Sequence, residues 1–150
     1  MPILGREPGT HVYRDLDEHP EDETDPSVVA IRIDGGLFFA TAEALDERIR
    51  ALAEDDPDIH TLVLDLEGVD LIDSQGAAKV SEIEELARAR GVSLRLARVK
   101  PGVRGVLEAE GVIGRLGSDH VHGNIFRAVD TALAERTLVP PNSGPPTTQA

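Results

Sequence analysis

Three aspartates close the most apolar stretch of the chain, Thr61-Leu62-Val63-Leu64-Asp65-Leu66-Glu67-Gly68-Val69-Asp70-Leu71-Ile72-Asp73-Ser74-Gln75-Gly76. Carboxylates at the end of a buried strand suit a hard cation such as Mg²⁺ or a phosphoryl acceptor, and Asp65, Asp70 and Asp73 are placed for that chemistry. The same residues have a plainer use, in which Asp65 hydrogen-bonds a neighbouring loop and Asp73 caps the helix that follows. The plainer use is the expected one. His120 and His122 sit two apart, and His11, His19 and His60 are scattered, whereas a zinc site needs three or four converging ligands. Cysteine is absent, which removes thiolate nucleophiles, thiolate metal sites and disulfides. Ser74 paired with a histidine would lack the strained elbow and oxyanion glycines of a serine nucleophile. Asp34-Gly35-Gly36 carries no Lys-Ser/Thr partner for phosphate and reads as a turn between strands. No catalytic residue, metal or obligatory cofactor is expected.

Recognition is the remaining chemistry, and two features offer it. The first is the polar turn Asp73-Ser74-Gln75-Gly76, where the chain leaves a buried strand for a helix. Asp73 or Ser74 accepts from the amides of the helix's first turn, and Gly76 has no side chain to keep another molecule from the helix end. With Lys79 one turn further on, these residues form the expected contact surface. The second is a basic run, Arg88, Arg90, Arg95, Arg98, Lys100 and Arg104, with no acid between them in a chain of net charge −13. It reads either as solvated arginines flanking a strand or as a surface for nucleotide phosphate, anionic lipid head groups or an acidic partner. The overall charge argues against nucleic acid, whose binding relies on cations displacing counterions. Three Phe, one Tyr and no Trp leave little for base stacking.

The elements that must position these residues follow from periodicity. At 150 residues, 40% hydrophobic and 29% charged, the chain fits one soluble domain. It has neither the apolar run of a membrane span nor the start of a secretory leader. Residues 1–11 read as a linker, 12–136 as the domain and 137–150 as a disordered, Pro-rich tail. Val12-Tyr13 suits a short edge strand, and the acidic stretch Asp15 to Asp25, with seven carboxylates, a solvated loop. Val28 to Ile33 is a strand, and Leu37 to Ala40 reads as its hairpin partner. Thr41 offers an N-cap to a helix carrying Leu45, Ile49 and Leu52 that stops near Asp55, ahead of Pro57. Thr61 to Leu66 is the innermost strand. Ala77, Val80, Ile83, Leu86 and Ala87 make one helical stripe that Gly91 closes. Val92 to Val99 alternates, with Arg95 and Arg98 nearer solvent. Pro101 opens a short helix closed by Gly111, Ile113 to Leu116 reads as a last edge strand, and a final helix from Ile125 ends near Arg136. The result is an α/β sandwich, a mixed sheet with helices mainly on one face.

With these pieces placed, the sequence resembles a STAS domain, the fold of bacterial anti-sigma-factor antagonists and of the cytoplasmic C-terminal part of SulP (SLC26-type) anion transporters. Leu62 to Gly76 is similar to the family segment ending in Asp-Ser-X-Gly or Asp-X-Thr-Gly. Leu4-Gly5-Arg6, Pro8-Gly9-Thr10, Val12-Tyr13-Arg14-Asp15, Ile31-Arg32-Ile33-Asp34 and Leu37-Phe38-Phe39-Ala40 are similar to the SulP branch, and antagonists do not normally carry that pattern. The resemblance covers Leu4 to Arg136. It implies a non-catalytic regulatory and interaction domain of a sulfate or related anion transporter, on the cytoplasmic side of the cell membrane. The expected partner is the transmembrane domain of the same transporter, with membrane-surface contact and weak GDP or GTP binding as lesser expectations. The alternative is a free-standing antagonist that binds a kinase-like anti-sigma factor. Gln75, directly before the turn glycine, cannot accept a phosphoryl group, so a phosphorylation switch at that position is not expected. A likeness to two-component receivers through Asp65 and Lys100-Pro101 fails on strand count, since one strand separates that lysine from the preceding helix where a receiver has two.

Overall fold

The computed structural model describes residues 1–138; of the tail expected over 137–150, Thr137 and Leu138 instead belong to the last helix, and residues 139–150 lie outside the described residues. Six strands, β1 (Ile3–Arg6), β2 (Tyr13–Asp15), β3 (Val28–Asp34), β4 (Thr61–Gly68), β5 (Ser93–Ala97) and β6 (Val121–His122), form one sheet in the order β2-β1-β3-β4-β5-β6. β1 runs antiparallel to β2 and β3, while β3 to β6 are parallel. The first six residues of β4 are all buried, as a strand covered on both faces must be.

Five helices cover the sheet: α1 (Phe39–Asp55), α2 (Ser74–Ala89), α3 (Pro101–Ala109), α4 (Val112–Leu116) and α5 (Ile125–Leu138). The first four enclose the larger core with one face of the sheet, through Leu45, Ile49, Val80, Ile83, Leu107 and Ile113 against Ile31, Ile33, Leu64 and Leu96. Among the described residues α5 alone covers the other face, seating Ile125 and Ala128 against Leu4, Val28, Ala30, Val63 and Ala97. This is the expected mixed sheet with helices mainly on one face.

Several local expectations are overturned. The segment before Gly9 is not irregular but holds β1, an internal strand; Gly5 is buried there under Leu16 and Asp22, where an added Cβ would come within 2.5 Å of Leu16 Cδ2 and 2.9 Å of Asp22 Cβ. Leu37 to Ala40 is not the second strand of a hairpin. Leu37 makes one isolated parallel bridge to Ile72, and the helix begins at Phe39 with Phe38 as an N-cap that supplies no side-chain bond. Thr41 therefore lies inside the first turn and does not cap it. Four apolar residues in a row fit a strand or a helix start equally well, and the short run carried no period to decide between them. Ile113 to Leu116 belongs to α4, where Val112, Ile113 and Leu116 are buried at helical spacing. The edge strand is β6, two residues long, reached through a 3-10 turn at Ser118–His120. Finally, the acidic loop is exposed for the most part, but Asp22 is buried. It accepts from Arg14 Nε at 2.9 Å and Nη2 at 2.5 Å, and this guanidinium holds its carboxyl below the usual aspartate value.

Candidate functional site

β4 delivers the chain to Asp73 at the C-terminal end of the parallel strands. Asp73 takes an extended conformation, and its Oδ1 accepts from the amide of Gly76 at 2.7 Å, so the expected N-cap forms. A cap of this kind contributes about 1 kcal/mol. Asp73, Ser74 and Gln75 are exposed, whereas Gly76 is buried. The space above Gly76 is not open to another molecule, because a Cβ there would lie 2.1 Å from the Leu37 carbonyl oxygen. Gly76 thus admits the backbone of the β3–α1 connection, and the surface offered outward is Asp73 to Gln75. Lys79 is drawn inward. Its ammonium pairs with Glu82 at 3.1 Å and Glu43 at 3.2 Å, and lies 3.8 Å from Asp46, tying α2 to α1. Hydrogen bonds to Glu82 and then Glu43 raise its pKa above the ordinary lysine value.

Two apolar side chains beside this turn escaped the sequence reading. Phe38 is 44% exposed and Leu71 is 65% exposed, values uncommon for large apolar groups in a core-forming segment. Their backbones adjoin, since the Leu37 amide donates to the Leu71 carbonyl at 2.9 Å. The Phe38 ring lies over Gly36, where a Cβ would fall 2.1 Å from Cε2. The available signal was Leu71 itself, an apolar residue between Asp70 and Asp73 in a stretch leaving the sheet. Asp70 pairs with Lys100 at the same end of the molecule.

The basic run does not form one surface. Arg88 and Arg90 are at the C-terminal end of α2, with Arg88 bonded to Glu84 at 3.0 Å. Arg95, expected nearer solvent, is 1% exposed and pairs with Glu135 of α5. The local alternation of β5 could not reveal that α5 returns over that face. Arg98 has a left-handed backbone, φ 56°, and turns back to Asp65 and Glu67. Arg104 pairs with Glu108 at 2.9 Å. Of the six cations, only Arg90 has no carboxylate partner among the described residues.

Asp65 is fully buried on the α5 side of β4. Its carboxylate accepts from Arg98 Nη2 at 2.6 Å, Arg98 Nε at 3.0 Å, Arg32 Nε at 3.2 Å and the Glu67 amide at 3.2 Å. Those bonds occupy its acceptor sites with two guanidiniums, the arrangement a buried carboxylate requires. Asp65 and Asp73 are therefore engaged within the chain, and among the described residues no group of three or more metal-ligating side chains converges.

The chain and its fold match known proteins. The STAS domain family model matches residues 19–132, and the chain belongs to that family. Sulfate transporter 1.3 of Arabidopsis thaliana is 29% identical over 138 residues, covering 86% of this chain and 21% of the transporter. The chain thus spans about a fifth of the curated relatives it matches. The crystal structure of a sulfate transporter family protein from Wolinella succinogenes superposes with a TM-score of 0.70 at 26% identity, covering 83% of this chain and 99% of that one. The anti-sigma factor antagonist SpoIIAA shares the fold, with a TM-score of 0.62 at 19% identity over 75% of this chain and 94% of that one. Within the family, the chain is a homologue of the SulP (SLC26-type) sulfate transporters.

Proposed function

We propose that the chain is a non-catalytic regulatory and interaction domain of a SulP-type sulfate transporter, lying on the cytoplasmic side of the cell membrane and docking on the membrane-spanning part of that protein. The observation that carries this reading is the similarity to sulfate transporters over 86% of the chain. The docking end is the one where Phe38, Leu71 and Asp73 to Gln75 are exposed together. An exposed apolar pair beside exposed polar groups suits a protein contact. A role in recognition also fits the carboxylates, because Asp65 is held by two arginines and Asp73 by its helix. Among the described residues no helix is long and apolar enough to cross a membrane; in this reading the spans belong to the partner. Lys100 and Arg104 lie just beyond β5 and would give the membrane surface a secondary contact.

The test is sulfate uptake by cells that depend on the protein encoded by the complete reading frame. Leu71→Asp and Phe38→Asp should lower uptake while the 150-residue chain keeps its circular dichroism spectrum and melting temperature. Unchanged uptake, together with binding of the chain to a soluble kinase-like protein, would favour the antagonist reading instead. Weak guanine-nucleotide binding is a secondary part of the proposal. Arg90, exposed at the end of α2 and without a carboxylate partner among the described residues, is the cation left for a phosphate, with the exposed Arg88 beside it paired to Glu84. An NMR titration with GDP should then shift amides around Arg88 to Gly91, and flat spectra at millimolar nucleotide remove it.

A further inference from the structure

α5 is fastened to the sheet around one buried cation. Arg95 of β5 faces α5, and its guanidinium meets Glu135 through Nη2. Its Nη1 reaches His122 Nε2 at 3.1 Å and the Asp119 carbonyl at 3.5 Å, and its Nε has no partner among the described residues. A guanidinium only donates, so His122 Nε2 must accept, and the ring is the neutral tautomer protonated on Nδ1. A proton added at Nε2 would set donor against donor and cation against cation, with Arg95 out of reach of water.

Every element packed against His122 contributes to this balance. Arg95 faces it from β5, Asp119 and His120 from the 3-10 turn, and Glu135 from α5. Burial first, then Arg95 and His120, push the imidazole below its ordinary value, and Glu135 and Asp119 oppose that without reversing it. The rest of this edge is held by a short ladder and by apolar packing. β6 pairs with β5 through Leu96↔Val121 and Ala97↔His122, the Arg98 amide donates to the His122 carbonyl at 3.0 Å, His120 Nδ1 lies 3.2 Å from the Leu94 carbonyl, and Ile125 and Ala128 seat α5 on the sheet. At its far end α5 is held by the His11 ring stacked on Phe126, with centroids 3.6 Å apart.

We infer that His122, Arg95 and Glu135 form an acid-sensitive latch, in which proton uptake at His122 loosens β6 and α5 and uncovers the sheet face of Leu4, Val28, Ala30 and Val63. The sign follows from the depressed value: the latch is fully closed above the unfolded histidine value of about 6.5 and weakens as pH falls below it. One proton limits the loss to about tenfold per pH unit.

Amide hydrogen exchange of the 150-residue chain, corrected for the intrinsic pH dependence, tests this between pH 7.5 and 5. Amides of Ile125 to Leu138 should lose protection selectively while those of β4 keep theirs. His122→Gln, whose side-chain oxygen still accepts from Arg95 but cannot take up a proton, should abolish the selective loss, and His120→Gln should retain it. Protection of α5 that falls only in step with β4, or a selective loss that survives in His122→Gln, would overturn the latch. A second measurement needs no variant: the NMR titration of the His122 ring should give a midpoint below that of a free histidine. A midpoint at or above it would also overturn the inference.

Discussion

Replacing Gly76 with alanine should destabilise the fold even though alanine is the better helix former. In an unobstructed helix the exchange gains about 0.8–1.0 kcal/mol. Here the added Cβ would stand 2.1 Å from the Leu37 oxygen, 3.0 Å from the Leu37 carbonyl carbon and 3.2 Å from Asp73 Oδ1. Relief requires moving the β3–α1 connection or the start of α2 by more than an ångström, against contacts that normally settle at about 3.5–4.0 Å. Overpacking a filled interior costs about 1–3 kcal/mol, occasionally more, and a clash with backbone belongs at the upper end. The net expectation is a loss of roughly 2 kcal/mol. Gly105 in α3 is the matched control, since a Cβ there meets nothing within 4 Å, and Gly105→Ala should stabilise by about 0.5–1 kcal/mol. The two variants make the same chemical change and should differ by about 3 kcal/mol, or roughly 1.5 M in urea midpoint for an m-value near 2 kcal/mol/M. Urea unfolding of the 150-residue chain followed by circular dichroism reads this directly. A Gly76→Ala midpoint equal to or above the parent's would refute the claim that this glycine exists to admit Leu37.

Asp65→Asn should remove the charge that two guanidiniums share and cost about 3–5 kcal/mol, visible as a melting temperature lower by roughly 10 °C; a shift of about 2 °C or less would show that Arg32 and Arg98 do not depend on it. Asp73→Ala should cost about 1 kcal/mol by removing the cap, with Asp73→Asn retaining most of it, and equal urea midpoints for the parent and the alanine variant would contradict that. Arg14 holds the Asp22 carboxyl below its ordinary value of 3.8, so its contribution is complete above that value and is lost as pH falls through the folded one. Asp22→Asn should flatten that part of the acid-unfolding profile, and an identical profile would count against the pair.

Much of the fold was legible because strands and helices with a clear period declared themselves. The run Thr61 to Leu66 could only be an inner strand, and the Ala77, Val80, Ile83, Ala87 stripe between Asp73 and Gly91 carried start, face and stop together. What stayed hidden depended on partners distant in sequence. Gly5 reads as loop punctuation until Leu16 and Asp22 are seen against it. Arg95 alternates like a surface residue until α5 closes over it. The stretch from Leu37 to Ala40 is too short to reveal whether it continues a strand or begins a helix. The turn of the candidate site was found by its cap, but its apolar companions Phe38 and Leu71 were not, because an exposed apolar side chain has the same letters as a buried one. The basic run was continuous in sequence and dispersed in space, since one strand and the turns at both its ends separate its members.

The central claim is that the end of the sheet bearing Asp73 to Gln75 meets the membrane part of a transporter. The direct measurement is crosslinking from a genetically encoded photoreactive residue in place of Gln75, with one in place of Glu54 at the opposite end of α1 as control, in cells making the complete gene product. The Gln75 probe should join to membrane-spanning segments of a sulfate transporter, and the Glu54 probe should not. Crosslinks from Gln75 to a soluble kinase-like protein, or equal yields from both positions, would contradict the account.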